Sequence, residues 1–146
     1  MKIRIVLITT ILVLAVAGCN NYTYVDGKYT AIYDDFNSNG YKAFIDITLT
    51  DDVINEVNFD YLDPDNNLLS NDQVYQKSMY DSLNIGPLQF LSAIESQCAN
   101  TSIIPALTPI DGISGATNST ADANRLFEAA LSIAKEGDTD KIILPL

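Results

Sequence analysis

The sequence predicts an α+β fold: an antiparallel β-meander covered by helices, with a Gly-rich loop that leads into a C-terminal helix. Three observations support this prediction. Apolar and polar residues alternate with a period of two between residues 29 and 61, which is typical of strands with one buried face. From residue 70 onwards the apolar residues recur at helical spacing. Two glycines lie just before the last amphipathic segment, where a turn into a helix is expected.

The first half of the domain is predicted to hold three strands, over residues 29–33, 41–49 and 53–61. The segment 35–40 contains two Asn, a Ser and a Gly, and Asp51-Asp52 forms a second polar break, so both connections are expected to be turns. Consecutive strands joined by short turns form an antiparallel meander. The residues expected on one face of the third strand are Val53, Val57, Phe59 and Tyr61.

Two helices are predicted to follow the meander and to cover the sheet. Ser70 or Asn71 can cap the first helix, and Gly86-Pro87 separates it from the second, which runs over 87–97. The apolar residues at helical spacing are Val74, Tyr75, Met79 and Leu83 in the first helix, and Leu88, Leu91, Ile94 and Cys98 in the second.

The remaining chain is expected to return to the sheet. A loop at 100–110 contains Pro105 and Pro109, which stiffen the approach to the Gly-rich segment. The last helix is expected to stop at Gly137, because glycine adopts the left-handed conformation that ends many helices. A late edge strand is then predicted over 141–144.

The apolar periodicity over 121–134 predicts a C-terminal helix that begins among Thr117, Ser119 and Thr120, after Gly112 and Gly115. Glycine reaches positive φ without steric cost and lets the backbone approach a ligand closely. One face of this helix is expected to be buried, and it carries Ala123, Leu126, Phe127, Ala130, Leu131 and Ala134.

The start of this helix has two interpretations. Thr117, Ser119 or Thr120 can cap it, and Asp122 in the first turn agrees with the positive end of the helix dipole. A phosphate placed there would bind the unpaired backbone N–H groups of the first turn. The alternative is a Gly-rich turn before a capped helix, without any ligand.

The run from Asp111 to Thr117 resembles the flavinylation motif of the FMN-binding domain family: an Asp, two variable residues, Ser or Thr, and then Gly-Ala-Thr. That family includes the C subunit of the sodium-pumping NADH:quinone oxidoreductase, the Rnf G subunit and small surface lipoproteins. Its last Thr is esterified by the phosphate of FMN, and a separate flavin transferase attaches it from FAD. The resemblance implies that Thr117 accepts FMN and that Asp111, Ser114, Gly115 and Ala116 belong to the recognition motif.

Four other segments resemble the lipoprotein branch of this family in order and spacing. They cover residues 26–29, 40–44, 57–61 and 136–139, so the resemblance extends over nearly the whole chain after residue 18. These segments are interpreted as structural, and they support the fold more than the chemistry.

The N-terminus has the pattern of an export signal. Lys2 and Arg4 precede an apolar run over 5–17, which is shorter than the about 20 apolar residues of a membrane-spanning helix. Residues 16–19, Val-Ala-Gly-Cys, resemble a bacterial lipobox, which implies that Cys19 is lipidated and begins the mature protein. The alternative is an uncleaved signal anchor.

The predicted organisation is therefore a signal peptide over 1–18, a lipidated Cys and tether over 19–25, and an FMN-binding domain over 26–146. The chain is expected at the cell membrane, lipid-anchored on the extracytoplasmic face. Removing 18 of the 146 residues leaves 128, which suits one domain with a single core.

The charge balance narrows the choice of partner. The chain has 8 basic and 19 acidic side chains, and loss of Lys2 and Arg4 changes the formal net charge from −11 to −13. So acidic a surface repels phosphate backbones, which argues against nucleic acid as a partner. It also repels anionic lipid headgroups, so a lipid anchor would have to supply the membrane attachment.

The side-chain inventory excludes several kinds of chemistry. With no His, the chain cannot build a His-dependent triad, a His-ligated zinc site or a Cys-x-x-Cys-His haem site. Cys98 is expected to be a small buried residue. The segment 63–67 lacks the Gly and Glu that an EF-hand loop requires and is interpreted as a turn. The pairs Asp34/Asp35 and Asp51/Asp52 are expected to be solvated in turns.

A bound cofactor would therefore have to supply any reactivity. The resemblance implies an electron carrier with FMN on Thr117, more than a stand-alone enzyme, without catalytic residues or metal ligands of its own. Its expected partners are a flavin transferase and a membrane redox complex or quinone-linked donor. Noncovalent FMN binding and a flavin-free binding or structural lipoprotein remain as alternatives. The eight Tyr and five Phe give no basis for choosing contacts to the flavin ring.

Overall fold

A computed structural model describes residues 23–99 and 110–146. These described residues form a four-stranded sheet with three helices, which confirms the predicted α+β fold. In chain order the elements are β1 (Gly27–Tyr33), β2 (Lys42–Thr50), β3 (Val53–Leu62), α1 (Gln73–Leu83), α2 (Pro87–Ala99), α3 (Thr117–Glu136) and β4 (Ile142–Leu144), with a 3-10 turn at Leu69–Asn71 before α1. The signal peptide, Cys19 and the two prolines of the 100–110 loop lie outside the described residues.

The sheet has the strand order β3-β2-β1-β4. The first three strands form the predicted antiparallel meander, and β4 is the predicted edge strand. It pairs with β1 in parallel, with Ala31 opposite Ile142. A parallel strand requires a long crossover, and the helical segment between β3 and β4 supplies it.

The turn between β2 and β3 is a two-residue hairpin. Asp51 and Asp52 both have positive φ, 53° and 58°, as a type I′ turn requires. Asp52 was expected to be solvated, but its carboxylate accepts the backbone N–H groups of Thr23 and Tyr24, each at 2.8 Å. Tyr24 is 6% exposed. The Val25 N–H also donates to the Ala134 carbonyl at 2.9 Å, so the folded domain includes Tyr24 and Val25, which were predicted to belong to the tether.

The inner face of β3 differs from the prediction at its start. Phe59 and Tyr61 are buried as expected and Val57 is partly buried, but Ile54 is buried in place of Val53. A β-bulge explains this: Glu56 pairs with Thr48, whereas Ile54 pairs with the next residue of β2. The extra residue on β3 reverses which side chains face the core before the bulge.

Helix α1 begins later than predicted and buries none of its residues. Its cap is Asp72, not Ser70 or Asn71, because the Asp72 carboxylate accepts the N–H groups of Val74 and Tyr75. Val74, expected on the inner face, is 81% exposed.

Helix α2 packs against β3. Leu91, Ile94 and Cys98 are buried as predicted, whereas Leu88 is exposed and Phe90 takes its place in the core.

Helix α3 packs across β1 and β2, and all six residues predicted for its inner face are buried. It ends where predicted, at Gly137, which has a φ of 70° and donates its N–H to the last turn of the helix. It begins at Thr117, the earliest of the three positions expected for its start. In the described residues, no helix is both long enough and apolar enough to cross a membrane.

Candidate functional site

The loop before α3 is held at its start by two side-chain amides. Asn124 Oδ1 accepts the Ile110 N–H at 2.7 Å, and Asn124 Nδ2 donates to the Ile110 carbonyl at 3.3 Å. The Gln97 amide makes the same pair of bonds to Asp111: Oε1 accepts the backbone N–H at 2.7 Å, and Nε2 donates to the backbone carbonyl at 3.4 Å. The loop is therefore attached to both α3 and α2, and the Asp111 side chain stays exposed.

The centre of the loop is a tight turn that requires one of its two glycines. The Ala116 N–H donates to the Ile113 carbonyl at 2.9 Å, and Gly115 has a φ of 82°, as the third position of a type II turn requires. A Cβ at Gly115 would lie 2.7 Å from Cγ2 of Ile85. A Cβ at Gly112 would have no atom within 4 Å, and its φ is not positive, so only Gly115 has the predicted special conformation.

The predicted cap of α3 is wrong. The N-cap residue is Ala116, which makes no side-chain capping bond. The Thr120 hydroxyl instead donates to the Ala116 carbonyl at 3.0 Å and accepts the Ile113 N–H at 3.3 Å, which ties the turn to the helix. Asp122 was also expected in the first turn, but it lies beyond that turn because the helix begins at Thr117.

The first turn of α3 is consequently open to a ligand. Inside the helix there is no acceptor for the N–H groups of Thr117, Asn118 and Ser119, as in the first turn of any α-helix. No capping side chain among the described residues accepts a hydrogen bond from them either. Thr117 and Asn118 are exposed. The exposed Thr117 hydroxyl and several unpaired backbone N–H groups thus lie next to each other at one helix end, where an anion could bind.

A groove of about 400 Å³ borders this helix start. Its far wall is formed by α1, and Asn39 of the loop between β1 and β2 also lines it. The lining residues are Asn39, Tyr75, Met79 and Leu83, together with the segment from Gly115 to Ser119.

A second cavity, of about 330 Å³, continues from the groove towards the sheet. The two share Asn39, Tyr75, Met79, Asn118 and Ser119. The second cavity also reaches Tyr61 on β3, Phe90 on α2 and Asp122 on α3. Each volume falls within the about 300–1,000 Å³ of small-molecule sites, and the lining combines aromatic and apolar side chains with Asn, Ser, Thr and Asp in about equal parts.

The inner end of the second cavity contains a half-buried acid. The Tyr61 hydroxyl donates to Asp122 Oδ2 at 3.0 Å. Burial raises the pKa of Asp122, and hydrogen bonds from Tyr61 and Tyr33 oppose this effect. Burial, followed by the charge of Asp122, raises the pKa of Tyr33 to about 12 and also raises that of Tyr61.

The outer end of the cavity is tied to α1 by two tyrosines. The Tyr41 hydroxyl donates to Asp72 Oδ2 at 2.7 Å, and this bond raises the pKa of Tyr41 to about 12. The rings of Tyr41 and Tyr75 meet edge to face, with centroids 5.7 Å apart. Since Asp72 caps α1, this contact links the start of α1 to the sheet.

The structure brings Ser114, Gly115, Ala116 and Thr117 together at the helix start, with Asp111 at the anchored beginning of the loop. Sequence reasoning did not find the other cavity residues, which come from separate segments. Asp122 offered a signal, since it is an acidic residue next to the buried face of α3. Cys98 lies in the core as predicted, and burial raises the pKa of its thiol to about 12. Within the described residues, no cluster of His, Cys, Asp and Glu suits a metal ion.

The chain is similar to a bacterial lipoprotein. The 15 kDa lipoprotein of Treponema pallidum (strain Nichols) is 29% identical over 134 residues, which cover 90% of this chain and 92% of that protein. A crystal structure of a Clostridium perfringens protein has a TM-score of 0.77 and 28% sequence identity, and the match covers 84% of this chain and 98% of that one. No family model matches the sequence.

Proposed function

We propose that this protein is an extracytoplasmic electron carrier that is anchored to the membrane by lipid on Cys19 and holds FMN through a phosphoester to Thr117. One observation carries the proposal. The complete flavinylation motif from Asp111 to Thr117 ends on an exposed threonine at an uncapped helix start beside a groove.

The phosphate group of FMN suits the first turn of α3. A phosphodiester at Thr117 keeps one negative charge, which the positive end of the helix dipole stabilises. The N–H groups of Asn118 and Ser119 supply hydrogen-bond donors that the protein leaves unpaired. Among the described residues, no Lys or Arg lines the groove, so backbone donors would hold the phosphate.

The attachment step is a transfer of FMN from FAD. The Thr117 hydroxyl oxygen forms a bond to the phosphorus on the FMN side of the FAD pyrophosphate, and the P–O bond to the AMP phosphate breaks. AMP leaves, and the hydroxyl proton passes to a base of the transferase. This chain has no His to act as that base, which supports a separate flavin transferase as the catalyst.

The groove and the second cavity suit the rest of the cofactor. Their lining includes the aromatic and apolar side chains Tyr75, Met79 and Phe90, and such surfaces pack against planar rings. The flavin supplies one- and two-electron chemistry when it is bound, and the protein supplies attachment and surroundings. A covalent bond would also retain the cofactor outside the cell.

The similarity to a lipoprotein supports the proposed anchor at Cys19. The net charge of −13 after removal of residues 1–18 disfavours direct contact with anionic lipids. The lipid would therefore hold the protein at the membrane while the domain exchanges electrons with a membrane redox complex or a quinone-linked donor.

Intact mass after denaturation tests the cofactor. The protein is co-produced with a flavin transferase in the export compartment, and a gain of one FMN less one water is expected. Thr117→Val removes the hydroxyl at nearly constant shape and abolishes the gain, whereas Thr117→Ser keeps an acceptor. Thr139→Val is the matched control, because Thr139 is also exposed but lies outside the motif.

An unmodified wild-type mass beside an active transferase contradicts covalent attachment. Retention of FMN by that unmodified protein in a titration then favours noncovalent binding, and no retention favours a flavin-free lipoprotein. Flavin that survives denaturation in Thr117→Val places the attachment on another residue.

Membrane fractionation tests the anchor. Cys19→Ala removes the sulfur that would carry the lipid, so lipid labelling should be lost and the domain should leave the membrane fraction or remain unprocessed. A Cys98→Ala variant is the control for loss of a thiol. Full labelling of Cys19→Ala contradicts lipidation at that residue.

A further inference from the structure

We propose that Asp122 faces the flavin ring in the second cavity and that its carboxylate lowers the reduction potential of the flavin. This inference rests on the proposed attachment at Thr117. It starts from the position of Asp122 on α3, where the side chain borders the inner end of the second cavity.

The groove and the second cavity share five lining residues, so together they reach from the attachment residue to Asp122. Thr117 borders the groove at the start of α3, and Asp122 borders only the second cavity. Asn118 and Ser119 border both, and they lie four and three positions before Asp122, on the same side of the helix. Five residues of α-helix rise about 7.5 Å, a distance comparable to the five-carbon ribityl chain that joins the FMN phosphate to the ring.

The second cavity has aromatic side chains against which a planar ring can pack. Phe90 and Tyr61 lie on the side of the sheet and α2, and Tyr75 lies on the side of α1. The groove at the helix start offers exposed backbone instead, which suits the phosphate. This arrangement therefore places the charged end of FMN at Thr117 and its ring near Asp122.

The charges around Asp122 determine the sign of the effect. Tyr61 from β3 and Tyr33 from β1 donate hydrogen bonds to its carboxylate, and Arg125 on its own helix lies over the Tyr33 ring, with Cζ 5.2 Å from the centroid. Among the described residues, no Lys or Arg lines either cavity. Reduction adds negative charge to the flavin, and an ionised carboxylate beside it in a partly buried site disfavours that charge.

The effect should disappear in acid. Burial raises the pKa of Asp122, while the two phenol hydrogen bonds and the Arg125 charge oppose that rise. Above this pKa the carboxylate is ionised and lowers the potential. Below it the carboxyl group is neutral, like an amide, and the wild-type protein should match Asp122→Asn.

The test is the midpoint potential of flavin-loaded protein as a function of pH. Asp122→Asn should favour the reduced flavin about tenfold at pH 8, which is a positive shift of about 30 mV for a two-electron couple. Glu128→Gln removes the same charge from an exposed position of α3 and should change the equilibrium less than twofold. Tyr61→Phe removes a hydrogen bond to the Asp122 carboxylate, which should raise the Asp122 pKa. The pH below which Asp122→Asn no longer changes the potential should therefore be higher in the Tyr61→Phe background.

Intact mass of each sample separates the two hypotheses. Loaded Asp122→Asn with an unchanged potential, or with a shift that is equal at all pH values, overturns the role of Asp122 and leaves the proposed function intact. Wild-type protein that takes up no flavin overturns the proposed function and this inference with it. If Asp122→Asn does not fold, the midpoint potential of the wild-type protein as a function of pH is the test. That curve should bend at the Asp122 pKa, where the curve of free FMN has no bend. A wild-type curve without this bend contradicts the inference.

Discussion

Helices α3 and α1 face each other across the groove, and the protein holds them in very different ways. Helix α3 has 20 residues and buries eight of them, whereas α1 has 11 residues and buries none. The motif threonine is at the start of the helix that is packed into the core. The opposite wall is held by the partly buried Tyr75 and Met79 and by contacts at its ends: Asp72 caps α1 and accepts the Tyr41 hydroxyl, and Ile85 just after α1 lies close to Gly115.

This difference separates two requirements of the proposed site. A covalent attachment point needs a fixed backbone, and α3 provides it through burial against β1 and β2. Entry of a cofactor needs a wall that opens at low free-energy cost, and helices with few buried apolar contacts open more readily than core elements. The comparison predicts that substitutions on the two walls have unequal effects on stability.

The largest difference is expected for leucine truncation on the two helices. Leu126→Ala removes a fully buried side chain of α3 and should lower the free energy of unfolding by about 2–5 kcal/mol. Leu83→Ala, at a residue of α1 that is 55% exposed, should lower it by less than about 0.5 kcal/mol. Urea unfolding followed by circular dichroism measures both, and equal losses would contradict the comparison.

A smaller loss is expected where the two walls meet. Gly115→Ala forces a residue with a Cβ into a φ of 82° and towards Ile85, so a loss of about 1–3 kcal/mol and weaker flavin attachment are expected. Gly112→Ala is the matched control and should change the free energy of unfolding by less than about 0.5 kcal/mol, since its Cβ meets no atom within 4 Å. A neutral Gly115→Ala would show that the turn is not strained by a side chain.

The smallest loss is expected at the cap of α1. Asp72→Ala removes the bonds to the Tyr75 N–H, the Tyr41 hydroxyl and the Val74 N–H, and a loss of about 1 kcal/mol is typical for an N-cap. Those same bonds hold the pKa of Asp72 below its ordinary value, and the bond from the Tyr75 N–H has the largest effect.

The effect of Asp72→Ala therefore depends on pH. Because the folded-state pKa is lowered, the stabilisation is complete above the unfolded value of about 3.9 and is lost as the pH falls through the folded-state pKa. Unfolding curves at pH 7 and at pH 2–3 measure this. Asp81→Ala, an exposed position later in α1, is the control and should show a smaller effect at both pH values. A loss that is the same in acid would place the contribution of Asp72 elsewhere than in its charge.

The fold was predictable where a local pattern and the tertiary environment agree. The structure confirms the alternation predicted for β1 and β2 and the six buried positions predicted for α3. One face of each of these elements meets the core along its whole length. The prediction for α1 was half right: Tyr75 and Met79 are partly buried against the core, whereas Val74 and Leu83 follow the same helical spacing but face solvent. The prediction failed at Val53, because a bulge depends on the pairing partner and not on the strand alone.

The amino-acid sequence by itself determined the meander, the inner face and glycine stop of α3, and the position of the motif at the start of that helix. Each depends on residues that are close along the chain, whose periodicity and turn preferences act locally. Only the tertiary structure decided the parallel pairing of β4 with β1, the exposed threonine at an uncapped helix end, and the cavity that joins Asn39, Tyr61, Tyr75 and Asp122. These features depend on contacts between segments that are far apart in the chain, and no local pattern carries that information.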